Sequence, residues 1–502
     1  MTASLRDVSG LTLARLLPGQ DLPSQATGLK FNSIQLDSRK VEEGDLFVAL
    51  KGSESDGHDF VESSFAKGAR AALIEHDQAE RFAGQAQAVI PVPNLRNELG
   101  MIAARFYGEP SKGMDLVAVT GTNGKTSCCQ FIAQALQTGD RRCGVIGTLG
   151  YGAVGELLDT GLTTPDAISV QKILAELANQ GFDIAAMEVS SHALDQGRIN
   201  GVAVDTAVFT NLSRDHLDYH KDMASYGAAK QQLFFIPSVK RAVINGDDDF
   251  GQTIAAQLPA GVECYRYGLD SEALEIRAKN IRVTAQGVQA SITSPWGQGI
   301  LTSDLLGRFN LRNLLAVFSV LCIEGFDVAA ALAAIARIRG VPGRMQFFGG
   351  EQMPLIVVDY AHTPDALETT LTTLQEIKQG DLTCVFGCGG DRDAGKREQM
   401  GQVAEQFADH VLLTDDNPRK ESPADIVKDI LRGFSNPADC EVEHDRAAAI
   451  GAAVLRARRG DVVLVAGKGH ENYQQIGAAR IAFNDAEQVK QALQRWKSQA
   501  HD

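Results

Sequence analysis

The segment Thr120-Gly121-Thr122-Asn123-Gly124-Lys125-Thr126 follows an apolar, strand-like run at 114–120 and precedes a stretch with helical spacing that continues to about residue 138. Glycines allow backbone N–H groups to turn toward phosphate oxygens, and the amino terminus of the following helix adds partial positive charge. A strand, a glycine-rich turn and a helix in this order predict a phosphate-binding loop. We therefore predict a nucleotide-binding α/β domain built around this segment.

The side chains of this loop have separate predicted roles. Lys125 is expected to reach the outer phosphates, and the Thr126 hydroxyl is expected to ligate magnesium. The usual pattern has a glycine where this chain has Val119, so the loop is a shortened variant. The alternative, a glycine-rich turn with a chance Gly-Lys-Thr, is disfavoured by the flanking strand and helix. The predicted nucleotide-binding residues of the loop are Gly121, Thr122, Asn123, Gly124, Lys125, Thr126 and Ser127.

The alternation of apolar strands and helices continues beyond the loop. Strand-like runs at 184–187, 207–210 and 241–244 alternate with helices, as in a parallel sheet covered on both faces. Residues 274–302 instead alternate with the period of two that is typical of antiparallel strands. The proline and glycine of 341–346 indicate a hinge, after which the strand–helix rhythm restarts and predicts a second doubly wound domain.

The chain before residue 99 mixes short strand-like runs with amphipathic helices and ends in two prolines and an asparagine. A chain of 502 residues is too long for one core, so we predict three domains, 1–98, 99–340 and 341–502. The predicted fold class is α/β. It comprises an N-terminal α/β domain, a central phosphate-loop domain of mostly parallel sheet with a small antiparallel sheet, and a C-terminal Rossmann-like domain.

Composition restricts the classes of function. The formal net charge of −15 is spread along the chain, which argues against nucleic acid as a partner. The eight cysteines include no Cys-x-x-Cys pair, which favours buried thiols in a reducing compartment over disulfides or zinc. The amino terminus has no signal-peptide core, and no apolar stretch approaches the ~20 residues that span a bilayer. We therefore predict a cytoplasmic protein with no membrane insertion.

Polar residues follow two further strands of the predicted central sheet. Glu188 ends one strand-like run, and His216 lies in a polar loop after the next. Ligands of open α/β sheets bind at the carboxyl ends of the strands, so we expect both side chains beside the nucleotide. A lone histidine is more often structural, but this position favours a functional role. The spacing of Lys230 on its helix indicates, by itself, an ordinary solvated lysine.

Five segments together resemble the Mur ligases, enzymes that add amino acids to the nucleotide precursor of peptidoglycan. These segments are GTNGKTS at 121–127, EVSSHALDQGR at 188–198, NLSRDHLDYH at 211–220, YGAAK at 226–230 and FNLRN at 309–313. The resemblance spans the whole chain. It implies an ATP-dependent ligase that forms an amide bond and releases ADP and phosphate. It also implies a role in peptidoglycan synthesis, and hence in cell-wall biogenesis, cell shape and cell division.

The resemblance assigns further roles to residues around the nucleotide. It implies that Lys230 carries a carbamate, which converts a cation into an additional carboxylate beside magnesium. The implied metal ligands are Thr126, Glu188, His216 and carbamylated Lys230, and the implied catalytic residues are Lys125, Lys230, Glu188 and His216. Asn310 is expected to contact the adenine end of ATP. Arg344 and Asp359 are expected to contact the nucleotide from the last domain when the enzyme closes.

The chemistry of amide formation is consistent with this assignment. A carboxylate is a poor acceptor for an amine, so the γ-phosphoryl group of ATP must first convert it into an acyl phosphate. The amine then attacks through a tetrahedral intermediate, and inorganic phosphate leaves. Catalysis is then mostly positioning and charge neutralisation, by Lys125, magnesium and the carbamate. Domain closure is expected to exclude the water that hydrolyses an acyl phosphate.

By resemblance, the carboxylate donor is UDP-MurNAc-L-Ala-D-Glu. The residues implied to hold its uridine diphosphate are Leu36, Ser38, Ser53, Glu54 and Ser55, and those implied to hold the muramoyl-peptide arm are Thr163, Thr164, Ser190, Gln196 and Arg198. Without the resemblance to the family, we would interpret these short polar segments as ordinary turns.

The amine acceptor implied by the resemblance is meso-diaminopimelate. This amino acid has a second carboxylate that lysine lacks, and the Arg419 guanidinium is suited to bind a carboxylate bidentately. Arg392 offers a second positive group, and Glu471 is expected to pair with the distal ammonium. The complete predicted pocket is Arg392, Asp416, Asn417, Pro418, Arg419, Gly467 and Glu471.

Three alternatives stay open at this point. A lysine-adding homologue is expected to differ at the arginine of Asp416-Asn417-Pro418-Arg419. A folylpolyglutamate synthetase-like ligase has a similar phosphate loop but lacks the C-terminal signature. An ATPase switch or binding module would hydrolyse ATP without any sugar peptide. We expect the protein to be a monomer.

Overall fold

The computed structural model describes residues 11–52, 55–137, 141–284 and 286–499. Its first unit comprises β1 (Ile34–Gln35), β2 (Leu46–Val48), β3 (Ala71–Glu75), β4 (Ala88–Val92), α1 (Leu13–Leu16), α2 (Val61–Ala66) and α3 (Leu95–Phe106). The four strands form a parallel sheet in the order β1-β2-β3-β4. The apolar face of α3 packs on this sheet, with Leu99, Ile102 and Phe106 in one core with Leu46 and Leu73. The helix therefore crosses the position at which the sequence analysis divides the first two domains.

The described residues of the central unit form eleven strands in one sheet. The strands are β5 (Asp115–Thr120), β6 (Cys143–Gly147), β7 (Gly150–Ala153), β8 (Glu156–Leu158), β9 (Ile184–Glu188), β10 (Thr206–Phe209), β11 (Arg241–Asn245), β12 (Glu263–Gly268), β13 (Ile276–Thr284), β14 (Gly287–Ser294) and β15 (Gly297–Ser303). The helices are α4 (Lys125–Leu136), α5 (Ala167–Asn179), α6 (Ser191–Asp195), α7 (Leu217–His220), α8 (Met223–Gln231), α9 (Asp249–Gln257), α10 (Arg308–Ile323) and α11 (Val328–Ile335).

Alternate residues of β5 show how this sheet is covered on both faces. Val117 and Val119 belong to a core that includes residues of α4 and α10, whereas Leu116 and Ala118 belong to the opposite core, with residues of α5 and α9. A strand that is apolar on both sides is typical of a parallel sheet between two helical layers. The predicted doubly covered central sheet is confirmed.

The antiparallel strands predicted within 274–302 are present but do not form a separate sheet. β13 pairs in parallel with β12, and β14 and β15 then continue the same sheet in antiparallel order. The full order is β15-β14-β13-β12-β11-β10-β5-β9-β6-β7-β8. Pairing β13 to β12 satisfies a strand edge that a separate small sheet would leave exposed.

The C-terminal unit has its own sheet and two cores. Its strands are β16 (Gln346–Gly349), β17 (Leu355–Asp359), β18 (Leu382–Phe386), β19 (His410–Leu413), β20 (Glu441–Val442), β21 (Val462–Ala466), β22 (Tyr473–Ile476) and β23 (Ala479–Ala482), and its helices are α12 (Pro364–Ile377), α13 (Gly395–Phe407), α14 (Pro423–Leu431), α15 (Arg446–Arg456) and α16 (Asp485–Gln499). The main order is β16-β17-β21-β18-β19-β20, with only β16 antiparallel, and β22 and β23 form a hairpin. The predicted Rossmann-like architecture is confirmed.

Candidate active site

The phosphate loop joins the carboxyl end of β5 to the amino end of α4. Gly121 and Gly124 have positive φ angles, of 148° and 86°. A Cβ on Gly121 would overlap the Thr210 hydroxyl, so only glycine fits where the loop crosses the neighbouring strand end. Val119 lies in β5, and the turn begins only after Thr120, which accounts for the missing glycine of the usual pattern.

Two lysine ammonium groups meet at one backbone oxygen of this loop. Lys125 Nζ donates to the carbonyls of Gly121 and Thr122, both at 2.8 Å, and Lys230 Nζ also donates to Gly121 O, at 2.8 Å. Lys230 is only 1% exposed and lies 4.3 Å from the centre of the Tyr226 ring. Burial, together with the Lys125 charge, lowers the pKa of Lys230 well below its usual value. The reading of Lys230 as a solvated surface lysine, drawn from its spacing alone, is therefore wrong.

Glu188 ends β9, and its carboxylate is held by the first turn of α4 and by the turn after β6. Its carboxylate accepts hydrogen bonds from Thr126 Oγ1 at 2.8 Å, Thr148 N at 2.8 Å and Thr148 Oγ1 at 3.1 Å. The residue is 2% exposed. The carboxyl end of β9 thus presents a fixed anion directly to the first turn of α4, as its place in the sequence predicted.

His216 lies in the loop after β10, with a φ angle of 55°. Its ring forms an edge contact with His192, at 4.8 Å between centroids, and its Nε2 lies 3.3 Å from Asp215 Oδ2. Partial burial, opposed by the Asp215 charge, lowers the pKa of His216 to about 3. The ring is therefore neutral at pH 7 and has a lone pair that can face a metal ion.

The predicted magnesium ligands can be tested against this geometry. Among the residues that the structure describes, no three His, Cys, Asp or Glu side chains form a ready metal cluster. The Thr126 and Glu188 oxygens are 2.8 Å apart, close to the about 3 Å between neighbouring ligands of an octahedral magnesium ion. Magnesium also keeps waters and phosphate oxygens as ligands, so a sparse protein contribution is ordinary. The residues fit a magnesium ion shared with a nucleotide.

Residues of the C-terminal unit reach the same loop. Arg344 Nη2 lies 3.3 Å from Thr126 Oγ1, and the guanidinium stacks 4.1 Å from the Tyr360 ring. Asp359 is buried and accepts from the amides of Met345 at 2.6 Å and Ala361 at 2.8 Å. Its burial raises the pKa of its carboxyl group.

Asn310, in the first turn of α10, is also buried, and its amide donates to Leu306 O at 2.9 Å. It lines the same cavity as Arg344, Asp359, Glu188 and Lys230. This cavity has a volume of about 440 Å³ and also includes Lys125 and Thr126 of the loop. The structure therefore brings the predicted nucleotide residues of two domains to one cavity.

The residues predicted for the muramoyl-peptide arm form a connected polar group beside Glu188. Thr164 Oγ1 donates to Glu188 O at 2.9 Å, and Arg198 Nη1 donates to Thr164 O at 2.8 Å. Gln196 Oε1 accepts from Arg198 Nε at 3.0 Å, and Thr163 Oγ1 accepts from Thr148 at 3.0 Å. The Ser190 hydroxyl caps α6 by accepting from Ala193 N.

The residues predicted for the uridine diphosphate lie in the first unit. Leu36 directly follows β1, and Ser38 begins the short 3₁₀ helix Ser38–Lys40. The loop after β2 contains Ser55, whose carbonyl accepts from Gly52 N at 2.9 Å. Ser53 and Glu54 lie outside the described residues.

A second cavity, of about 1100 Å³, lies at the carboxyl end of the C-terminal sheet. The predicted acceptor residues that line it are Arg392, Asp416, Asn417, Arg419, Gly467 and Glu471. Arg419 Nη1 donates to Gly390 O at 2.7 Å, and Asn417 Nδ2 donates to Glu471 Oε2 at 2.8 Å. Pro418 is buried, whereas the Arg392 side chain is exposed.

The two cavities adjoin, because Thr148, Thr163, Asp215, His216 and Tyr360 line both. The Lys125 loop and Arg419 therefore face one continuous cleft.

Sequence reasoning missed several charged residues where the central and C-terminal units meet. Asp215, next to His216, lies 3.5 Å from His362 Nε2 and 4.0 Å from Lys396 Nζ. Arg214 binds Asp393 with two hydrogen bonds, at 3.1 and 3.2 Å. All five are charged or titratable residues in or beside segments already singled out, but sequence spacing does not reveal contacts between domains.

Three family profiles match successive parts of the chain. They are described as the Mur ligase family catalytic domain at 30–107, the Mur ligase middle domain at 119–321 and the Mur ligase glutamate ligase domain at 343–469. Together they cover well over half of the 502 residues.

Curated relatives match over nearly the full length. A UDP-N-acetylmuramoyl-L-alanyl-D-glutamate–2,6-diaminopimelate ligase of Coxiella burnetii is 49% identical, over 97% of this chain and 100% of its own. The ligase of the same name from Chromobacterium violaceum is 48% identical, over 94% of this chain and 96% of its own. A solved structure of a ligase of that name superposes with a TM-score of 0.71 and 38% identity, covering 97% of this chain and 99% of the other. In the described part of the chain, no helix is long and apolar enough to cross a membrane.

Proposed function

The chain belongs to the Mur ligase family, and from this premise we propose that it is the ATP-dependent ligase that adds meso-2,6-diaminopimelate to UDP-MurNAc-L-Ala-D-Glu. The reaction is a step of peptidoglycan precursor synthesis. The observation that carries the proposal is the 49% identity, along 97% of the chain, to a ligase named for this reaction. The resemblance to the family predicted from five sequence segments is thereby confirmed.

In the proposed reaction, a carboxylate oxygen of the D-glutamyl residue attacks the γ-phosphorus of ATP, and ADP leaves. The resulting acyl phosphate is attacked by the neutral amine of diaminopimelate, which forms a C–N bond. The tetrahedral intermediate then collapses, the C–O bond to phosphate breaks, and the amine loses a proton. Lys125 would balance the negative charge on the transferred phosphoryl group, and most of the remaining catalysis would be positioning.

We propose that Thr126, Glu188, His216 and a carbamate on Lys230 hold magnesium beside the triphosphate. When bound, the ion supplies positive charge to the phosphate oxygens and fixes their orientation. A neutral lysine amine is the form that combines with carbon dioxide, and the lowered pKa of Lys230 supports that form. A carbamate also replaces one of two adjacent cations with an anion, which relieves the repulsion between Lys230 and Lys125.

Each substrate is assigned to a different part of the cleft. Leu36, Ser38, Ser53, Glu54 and Ser55 would bind the uridine diphosphate. The arm of the donor would contact Thr163, Thr164, Ser190, Gln196 and Arg198, which leads its carboxylate toward the phosphate loop. Arg419 would bind the distal carboxylate of diaminopimelate bidentately, with Arg392 nearby and Glu471 on the distal ammonium.

Three domains divide this work in our proposal: residues 1–98 bind the UDP substrate, 99–340 bind ATP and 341–502 bind the amino acid. Asn310 would contact the adenine, and Arg344 and Asp359 would reach the nucleotide from the last domain. We further propose that the enzyme acts as a cytoplasmic monomer without nucleic-acid or membrane partners.

The decisive test is acceptor-dependent phosphate release. The protein is supplied with ATP, magnesium and UDP-MurNAc-L-Ala-D-Glu, then with diaminopimelate or lysine, and the product mass is recorded. Phosphate release should need donor and diaminopimelate together. Faster release with lysine would reassign the acceptor, glutamylation of a folate substrate would favour the folylpolyglutamate alternative, and release without any donor would favour an ATPase switch.

A further inference from the structure

A fully buried lysine lies beneath the proposed diaminopimelate pocket. Lys468 follows Gly467 at the end of β21, and its side chain has no exposed surface. Its ammonium donates to Asn417 Oδ1 at 3.0 Å and to Glu471 Oε2 at 2.7 Å, and lies 5.5 Å from the centre of the Tyr473 ring. A buried ammonium is costly unless it is paired, and here both partners are predicted pocket residues.

These contacts fix the orientation of the Glu471 carboxylate. Oε2 accepts from Lys468 and also from Asn417 Nδ2 at 2.8 Å. Within the described residues, Oε1 accepts no hydrogen bond, and the side chain is 18% exposed at the wall of the second cavity. One oxygen is thus held by the protein, and the other is left to accept a hydrogen bond from a ligand.

The same lysine is linked to the other end of the pocket. Asn417 Oδ1, which accepts from Lys468, also accepts from Gln475 N at 2.8 Å. Gln475 O in turn accepts from Arg419 N at 3.0 Å. The groups predicted to read the distal ammonium and the distal carboxylate therefore share one buried hydrogen-bond network.

We propose that Lys468 is a positioning residue that sets the specificity for a diamino acid, by directing one oxygen of Glu471 to the acceptor's distal ammonium. This inference rests on the proposed function, because it assumes diaminopimelate in the second cavity. Lys468 does not touch the acceptor in this arrangement. It acts by keeping Glu471 and Asn417 in a single rotamer. The strength of a charge-assisted hydrogen bond to the ligand depends on how well the pocket side chains are aligned with it.

The test compares diaminopimelate with 2-aminopimelate, which has the same chain but no distal amine. In the wild type, kcat/KM for diaminopimelate should exceed that for 2-aminopimelate about 10- to 100-fold, the range of a hydrogen bond to a charged group. Lys468→Met keeps an unbranched side chain, one heavy atom shorter than lysine, and removes its charge. This variant should raise the KM for diaminopimelate at least about tenfold. It should also bring the ratio of kcat/KM for diaminopimelate to kcat/KM for 2-aminopimelate near one. The KM values for ATP and the UDP substrate should change less than about threefold.

Lys378→Met is the matched control, because Lys378 pairs with Asp409, which directly precedes β19 and so lies at the amino ends of the strands of the same sheet. This control should leave kcat/KM unchanged for both diaminopimelate and 2-aminopimelate. Lys468→Gln is a second variant, and thermal melting checks the folding of each. An unchanged acceptor ratio in a folded Lys468 variant would overturn the proposal, as would failure of both variants to fold, which would make the lysine structural. The wild-type assay with diaminopimelate tests the proposed function separately.

Discussion

At the scale of single residues, the pair Lys125 and Lys230 is the least expected feature of the site. The Nζ atoms of both lysines donate to the same carbonyl oxygen, each at 2.8 Å, so protonation of both would place two like charges side by side, and such charges repel. The surrounding burial leaves little water to screen them. The carbamate proposed on Lys230 would resolve this repulsion, which would give the modification a physical reason within this chain.

Lys230→Ala should therefore nearly abolish turnover while the fold is retained. We expect kcat below about a tenth of the wild-type value, because loss of a group beside a metal commonly costs 10- to 100-fold or more. Phosphate release measures the activity and thermal melting measures the fold. Carbon-13 NMR of protein prepared with labelled bicarbonate should show a carbamate signal in the wild type only. Near-normal activity in a folded variant would exclude an essential carbamate.

Arg419→Ala should weaken the use of diaminopimelate far more than that of ATP or the UDP substrate. We expect the KM for diaminopimelate to rise about 10- to 100-fold, since a bidentate guanidinium–carboxylate pair is among the stronger polar contacts. Arg432→Ala, which removes an exposed pair with Asp429 in the same unit, is the control. Steady-state constants for all three substrates decide the matter. Equal losses for each substrate would show that Arg419 does not belong to the acceptor pocket.

Sequence alone located some of these residues and not others, for a definite reason. Glu188 and His216 were predicted because strand ends are readable from apolar periodicity, and strand ends meet at one edge of a sheet. The burial of Lys230 and the network around Lys468 depend on which helix or loop packs above them. These are tertiary contacts, and the spacing of residues along the sequence does not reveal them.

At the scale of elements, the hinge turn and the loop after β21 are packed backbone to backbone. Gly343 has a φ angle of 67°, and a Cβ there would overlap the backbone of Gly469 and His470. Gly469 has a φ angle of 53°, and a Cβ there would overlap Gly343 O and Tyr360. The turn that carries Arg344 into the phosphate-loop cavity is therefore in contact with the loop that carries Lys468 and Glu471. We therefore expect a movement of the hinge to displace the proposed amino-acid pocket as well.

Gly343→Ala should impair both sites together. The added methyl group must displace the loop at Gly469 and His470, so we expect kcat/KM to fall at least about tenfold with respect to both ATP and diaminopimelate. Gly325→Ala is a matched control, because Gly325 also has a positive φ, of 94°, but its Cβ would meet no atom within 4 Å. The control separates backbone strain, which costs about 1 kcal/mol, from steric overlap. Equal effects of the two variants would contradict the coupling of hinge and pocket.

The sequence predicted the order and type of most elements, including the antiparallel strands of 274–302. It did not predict that β13 pairs with β12, because the two-residue ladder of Tyr267 and Gly268 with Ile276 and Arg277 is too short to read from periodicity. It also placed a boundary at residue 98, inside α3. The prolines and asparagine there precede the helix, and Asn94 is its amino-terminal cap residue.

At the scale of the whole molecule, charged contacts join the central and C-terminal units around the cleft. Asn123 of the phosphate loop donates to Asp365 Oδ2 at 3.0 Å, and Arg214 binds Asp393 bidentately. Asp215 faces His362 and Lys396 from across the interface. Because water destroys an acyl phosphate, we expect these contacts to do more than stabilise the fold. They would help to close the space in which the proposed intermediate forms.

Arg214→Ala and Asp393→Ala should each loosen this closure and uncouple phosphate release from amide formation. The Arg214–Asp393 pair is partly exposed, at 37% and 9% of the two side chains, so its contribution is of the order of 1 kcal/mol and the rate of amide formation should fall up to about fivefold. The ratio of phosphate released to tripeptide formed should rise above the value of one expected for a coupled ligase. The double variant should resemble either single variant, since both remove one interaction. Arg456→Ala, which removes an exposed pair with Glu441 within the C-terminal unit, should keep the ratio at one. A phosphate assay and mass spectrometry of the product measure the ratio. If it stays at one in both single variants and in the double variant, this pair does not protect the intermediate from water.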